Sequence, residues 1–269
     1  PSLDRIVESA DLVVHLAAWA GVRASLERSD QYFQNNVVAT QNLLRACQEA
    51  RTPVLIASSS SVYGDVGLVH PCGEEAANGT GLRSPYAVAK WLIEEWARCI
   101  ASVAPPVLIV RPFSIYGPWG RPDMAMFLFT KAILAGEPIN VFNHGDMRRD
   151  FTYIDDIVEG IVRVNDTPAA PNPAWDGNAP DPGTSFAPWR VFNIGNHTPV
   201  ELMHLIEVLE DALGKKAKKN FLPMQPGDVP ATYADTEALQ NAVGFKPSTP
   251  IEVGVNKFVD WYREYYRAT

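Results

Sequence analysis

Cysteine is scarce in this sequence: Cys47, Cys72 and Cys99 are the only three in 269 residues. An odd count without a C-x-x-C pair excludes a disulfide scaffold and a thiolate zinc site, and suits the reducing cytoplasm. Five scattered histidines show no metal-ligand spacing, so no metal is expected. Positive charge is also short, 23 Lys and Arg against 31 Asp and Glu, a net charge of −8. No basic surface is left over for nucleic acid. No apolar run reaches the roughly 20 residues of a membrane span, and no signal peptide is visible. Repeats and low-complexity segments are lacking as well. What is present is ordinary for a globular chain, 46% hydrophobic and 20% charged, and long enough for one large domain or two modest ones.

The stretch around which the rest is organised runs from Val54 to Lys90. Val54 to Ala57 is a short unbroken apolar run, the mark of a strand buried on both faces of a parallel sheet. It ends in four serines, Ser58 to Ser61, at the carboxyl edge where open α/β sheets bind ligands. Ser84 and Pro85 fit the cap and first position of a helix, which puts Tyr86 in its first turn and Lys90 on the same face four residues on. A tyrosine with a pKa near 10 is a poor base at neutral pH. A neighbouring ammonium and the positive end of its own helix both favour the phenolate. A Tyr-x-x-x-Lys spacing alone arises by chance; its place on a capped helix behind a serine-ended strand makes proton abstraction from a hydroxyl the better reading.

Around this centre, residues 3–10 read as the tail of a helix and Leu12 to Ala17 as a second buried strand ending in small residues. His15 within it reads as a core histidine. Gly21 to Ser29 reads as loop, and a helix follows from about Asp30 with Phe33, Val37, Leu44 and Cys47 on one stripe. Val107 to Arg111 is a third buried strand, completing the alternation of a doubly wound parallel sheet. Beyond it come a Gly/Pro loop holding Arg121, a helix over 127–135 closed by Gly136, and a short strand over 139–142. Arg148 and Arg149 are adjacent on a loop, either solvated or a clamp for a diphosphate. Asp155 is placed to cap a helix with Ile157, Val158, Ile161 and Val162 inward. Residues 166–190 read as a long surface loop, and Val191 to Ile194 as a further strand. Thr198 and Thr249 each begin a capping box, and the lysines at 215, 216, 218 and 219 read as a solvated turn.

The motifs H-L-A-A-W-A-G-V-R-A-S-L-E, A-S-S-S-S-V-Y-G, R-P-F-S-I-Y-G-P-W-G-R-P-D-M-A and N-H-G-D-M-R-R-D-F-T-Y-I-D-D-I-V-E-G give the chain a resemblance. Over nearly its whole length it resembles the extended short-chain dehydrogenase/reductase family of nucleotide-sugar epimerases and dehydratases. The resemblance implies a Rossmann-type α/β fold, N-terminally incomplete, with a smaller α/β nucleotide-sugar-binding domain. Residues 1–113 and 150–196 then belong to the NAD-binding part, and 114–149 and 197–269 to the smaller one. It implies NAD as cofactor and epimerisation at C4 of a UDP-sugar, UDP-glucuronate to UDP-galacturonate, through a 4-keto intermediate. In family terms Ser59, Tyr86 and Lys90 are catalytic. Leu16, Ala17, Ala18, Trp19, Ala20, Asn35, Ser58 and Phe113 match NAD contacts. Ser60, Ser114 and Arg121 match positions at the sugar, where the arginine and serines meet the uronate carboxylate. Asn140, Val141 and Phe142 match the uridine strand, and Arg149 and Asp228 match nucleotide-diphosphate contacts.

The same family implies a homodimer through helices near 30–50 and 86–102. Dehydratases of the family carry an Asp-Glu pair where this chain has Ser60 and Ser61, and decarboxylases a glutamate at the second position, so both reactions are disfavoured. One departure is large. The family opens with a strand, a G-x-x-G-x-x-G turn and an acidic ribose ligand, and this sequence has no such glycine set. Roughly sixty residues of the doubly wound order are expected to be missing from it. That would leave the strand at 12–17 with an open edge, and either a longer polypeptide or another covering is expected there. NAD binding by these 269 residues is expected to be much weakened, and a silent nucleotide-sugar-binding module is the competing reading.

Overall fold

The computed structural model describes residues 2–66 and 70–268. α1 (Leu3–Glu8) leads into β1 (Val13–His15), shorter than the strand read from the sequence. α2 (Val22–Glu27) occupies a stretch expected to be loop. α3 (Ser29–Tyr32), a π-helical turn (Phe33–Val38) and α4 (Ala39–Ala50) then follow one another without a break. The π turn accommodates one extra residue and so rotates the preceding face by about 100°. Phe33, expected on the buried stripe, is consequently half exposed, while Tyr32 is buried.

β2 (Val54–Ala57) ends in a 3₁₀ turn (Ser60–Tyr63), and α5 (Pro85–Ile100) starts as the sequence requires: Ser84 Oγ accepts the Ala87 N–H at 3.1 Å and Pro85 takes the first position. β3 (Val107–Pro112) and β4 (Ile115–Tyr116) precede α6 (Ala125–Ala135), which Gly136 closes at φ +73°. Then come β5 (Pro138–Val141), β6 (Arg148–Arg149), β7 (Thr152–Tyr153), α7 (Ile154–Asn165), β8 (Trp189–Ile194) and β9 (Val200–Glu201). α8 (Leu202–Leu213), β10 (Lys218–Phe221), α9 (Glu237–Val243) and α10 (Ile251–Tyr266) complete the chain.

The main sheet has the order β1-β2-β3-β8 and is parallel throughout, with Val13 level with Val54, Val54 with Val107, and Val107 with Trp189. That register brings the carboxyl ends of the strands to one rim. Each strand is apolar on both sides because each face is covered. Val54, Ile56, Val107, Ile109 and Val191 pack with α4 and α5 on one face; Leu55, Leu108, Val110 and Phe192 pack with α7 and α9 on the other. The loop over 166–190 lies along the free flank of β8, where the Val191 N–H donates to Gly183 O at 3.1 Å. β1 has no strand on its far side among the described residues, and Val14 and Leu16 stand 41% and 58% exposed.

A second core joins α6, α8, α10 and β5. α9 lies in the stretch assigned to this smaller unit, yet Leu239 and Val243 pack on the sheet instead. Both helix starts near Thr198 and Thr249 exist without the capping boxes. Val200–Glu201 pairs with Arg148–Arg149 as a strand, and neither helix receives a side-chain cap. Of the α7 residues expected inward, Ile157 is buried but Val158 and Val162 are half exposed. The solvated turn holds for Lys215 and Lys216, which are exposed, whereas Lys218 and Lys219 lie in β10 beside β5, and Lys216 and Lys219 converge on the buried carboxylate of Glu210.

Candidate functional site

Three consecutive residues at the end of β2 each meet a different residue on one face of α5. The Ala57 carbonyl accepts from Lys90 Nζ at 2.5 Å, the Ser58 hydroxyl donates to Glu94, and Ser59 shares a cavity wall with Tyr86. Positions 86, 90 and 94 recur every four residues, one above the other on the helix. Ser59 Oγ also accepts the Ser61 N–H at 3.2 Å and donates to Ser61 Oγ at 3.1 Å, which fixes the ledge.

The electrostatics differ from the expectation in one respect. Burial raises the Tyr86 pKa, opposed by the nearby Ser59 hydroxyl and by the positive charge of Arg121. The Lys90 amine donates to the Ala57 carbonyl. Burial pulls Lys90 itself down to about 8, with Glu94 acting the other way. In the free protein the phenol is therefore neutral, and the cation that acts on it is Arg121.

Two adjoining cavities of about 610 and 790 Å³ open here, sharing Gly21, Ser114, Arg121, Arg149 and Asp228 among their walls. Leu16, Ala18, Ala20, Ser58, Ser59, Ser60, Tyr86, Lys90 and Phe113 line the first; Asn140 and Phe142 line the second. Four residues named from the sequence lie off these walls. Ala17 and Trp19 are on the same loop but outside the cavities, and Val141 faces the second core. Asn35 is exposed and donates to Gln31 O within its own helix.

Its neighbour Asn36 was not singled out, yet it holds the loop after β1: it accepts the Trp19 N–H at 2.8 Å and donates to Trp19 O at 2.9 Å. Two adjacent asparagines look alike in sequence, and the π turn decides which points inward. Tyr32 was missed for the same reason. Its hydroxyl donates to Ala20 O at 2.9 Å, and its ring stands edge-on to Trp19 and to Tyr86. Gly21 sits at φ +114°, where a Cβ would come within 3.2 Å of Arg121 Nη2, so glycine is required.

Toward the second cavity, Arg121 is forked onto Asp123, with Nε to Oδ1 at 3.0 Å, on the open side of the cleft. Arg149 donates to Arg148 O and Pro230 O, and burial lowers its pKa against the pull of Asp228. Asp228 pairs with Arg23 at 3.3 Å, and the Arg23 guanidinium lies 5.1 Å over the Phe142 ring. Arg23 was another omission, since one arginine in a stretch read as loop carries no signal.

His15, expected in the core, is only partly buried on the edge strand β1, and its Nε2 is hydrogen-bonded to Thr40 Oγ1 at 2.8 Å. Burial, with the Lys90 charge, lowers its pKa to about 4. The folded protein thus binds fewer protons at this site than the unfolded chain between about 4 and 6.5, so stability falls as pH drops through that window. His15→Gln is expected to flatten the loss of melting temperature between pH 7 and pH 5. Parallel pH profiles for the two proteins would refute this.

A family model described as NAD dependent epimerase/dehydratase family matches residues 1–178. Protein CapI of Staphylococcus aureus is 49% identical over 262 residues, spanning 97% of this chain and 78% of its own length. A probable UDP-glucuronate 4-epimerase of Rhizobium meliloti (strain 1021) is 44% identical over 271 residues, spanning 99% and 79%. Among solved structures, UDP-glucuronic acid 4-epimerase from Bacillus cereus, in complex with UDP-glucuronic acid and NAD, matches with a TM-score of 0.86 at 31% identity. It covers 99% of this chain and 79% of that one.

Proposed function

From the premise that the chain belongs to the NAD dependent epimerase/dehydratase family, we propose that it converts UDP-glucuronate to UDP-galacturonate by inverting C4 through a 4-keto intermediate. The observation that carries this reading is Tyr86, half-buried on the wall it shares with Ser59 and subject to the charge of Arg121, in a cleft large enough for a nucleotide sugar. NAD, when bound, supplies the hydride acceptor and donor at C4. Tyr86 takes the 4-hydroxyl proton and returns it, Ser59 orients that oxygen, and Lys90 supplies positive charge beneath the site. Arg121 and the serines at 60 and 114 receive the uronate carboxylate, the arginine by exchanging Asp123 for substrate. Phe142 and Asn140 hold the uridine end, with Arg149, Arg23 and Asp228 around the diphosphate.

The cofactor's two halves fit unequally. Ala18, Ala20 and Ser58, with the flat ring of Phe113, make a wall suited to the flat nicotinamide end. The 269 residues include no G-x-x-G-x-x-G turn for its pyrophosphate. Calorimetry on this polypeptide is expected to give UDP at least about tenfold the affinity of NAD. That same feature favours a second reading, a nucleotide-sugar-binding module without turnover. NMR of UDP-glucuronate incubated with the protein and NAD separates the two: UDP-galacturonate supports the epimerase, whereas folded, NAD-loaded protein giving no product refutes it.

Val88 and Trp96, eight residues apart on α5, and Phe33 at the start of the α4 region are half exposed on the helices expected to pair. They support a homodimer through these helices, and Trp96→Glu should shift its sedimentation to that of a monomer. Three free thiols support a cytoplasmic location, testable by fractionation. No helix among the described residues is long and apolar enough to cross a membrane.

A further inference from the structure

Behind the serine ledge lies a buried ionic cluster that the reaction does not use directly. Glu94 and Arg111 are 1% and 2% exposed. Arg111 Nε reaches both Glu94 oxygens, at 3.1 and 3.2 Å, and Nη2 donates to Oε2 at 2.6 Å. The remaining nitrogen, Nη1, donates to Tyr63 OH at 3.0 Å and to Glu74 O at 2.8 Å. The Tyr63 hydroxyl donates in turn to Asn193 Oδ1 at 2.6 Å on the neighbouring strand. Glu94 is thus fixed from behind by a side chain that is itself fixed on three sides. In front, its carboxylate accepts the Ser58 hydroxyl, one residue from the Ala57 carbonyl that holds Lys90 and one from Ser59, which shares a cavity wall with Tyr86.

A buried carboxylate with a forked arginine is an expensive device when an apolar pair would hold the two elements together. What an apolar pair cannot do is accept a serine hydroxyl and place a negative charge one helical turn beyond an amine. We propose that Glu94, clamped by Arg111, is a positioning residue for the Tyr86 and Lys90 pair, setting the register of the serine ledge against α5 and holding the Lys90 ammonium in place. This rests on the reading of Tyr86 and Lys90 as the reacting pair. The charged and titratable groups around Lys90 are His15 from β1, Glu94 from α5 and, beyond Glu94, Arg111 from β3, with Tyr86 one turn back on the same face of α5. Burial disfavours the ammonium and Glu94 is the group that restores it.

The test reads Lys90 itself, without cofactor or turnover. The 269-residue protein is treated with acetic anhydride across a pH series and acetylation of Lys90 is followed by peptide mass spectrometry. The parent is expected to give a midpoint near 8. Glu94→Gln should lower it by about one unit, which raises labelling about tenfold at pH values below the midpoint. Glu94→Asp keeps the charge and should restore the midpoint. If Glu94→Gln fails to fold because Arg111 loses its partner, the double variant Glu94→Met with Arg111→Met removes both charges and should still show the lowered midpoint. An unchanged midpoint in any folded protein lacking the Glu94 charge overturns the proposal. The underlying reading fails separately: undiminished epimerisation by Tyr86→Phe would refute the role of Tyr86 while leaving the Lys90 shift in place.

Discussion

Tyr86→Phe is expected to lower kcat for epimerisation by about 10²- to 10⁴-fold, the usual worth of a positioned proton-transfer group. The loss should fall on kcat and leave UDP binding untouched, because the phenol lines the first cavity while Arg23, Asn140 and Phe142, proposed to hold the uridine diphosphate, line only the adjoining one. Removing one oxygen from a ring that keeps its edge contact with Tyr32 leaves the packing intact. The pH profile carries a second signature. Burial raises the phenol above its ordinary value, so the ionised fraction is small at neutral pH and grows as pH rises. The parent's kcat/KM should therefore climb through neutrality, and whatever activity survives in Tyr86→Phe should not. A variant within about threefold of the parent, with the same slope, would mean that another base takes the proton.

Arg111→Met is expected to destabilise the fold by about 3–5 kcal/mol, because it leaves the Glu94 carboxylate buried with only Ser58 for a partner. Tyr63 and the Glu74 carbonyl lose a donor at the same time. Urea unfolding should show a lower midpoint with an unchanged slope, the mark of lost stability without a changed denatured state. Glu94→Met added to it should recover most of the loss, since two apolar chains of similar length replace the ion pair. Additive losses in the double variant would show that the two residues act independently.

The elements that sequence rendered legible were those governed by local chemistry. β2 and β3 announced themselves as unbroken apolar runs because both faces of the sheet are covered, and Ser84-Pro85 marked the start of α5 to the residue. Tyr86, Lys90 and Ser59 come together because their spacing on those elements leaves little freedom. What stayed hidden depended on geometry set elsewhere. A single π turn exchanged Phe33 for Tyr32 and Asn35 for Asn36. The tether from Lys90 to a backbone carbonyl has no side-chain signature in the sequence. The clamp on Glu94 spans α5, β2 and β3, and no window of sequence contains it.

The two flanks of the main sheet are unlike. Gly183 and Thr184 meet β8 along one side, so the chain has blocked that side against newcomers. β1 offers a ladder of amides and carbonyls with Val14 and Leu16 beside it. Growth of this sheet is consequently one-directional. Among the described residues the edge left for a joining strand is β1, next to the loop that Asn36 and Tyr32 hold in shape, so whatever docks there becomes a neighbour of the cleft.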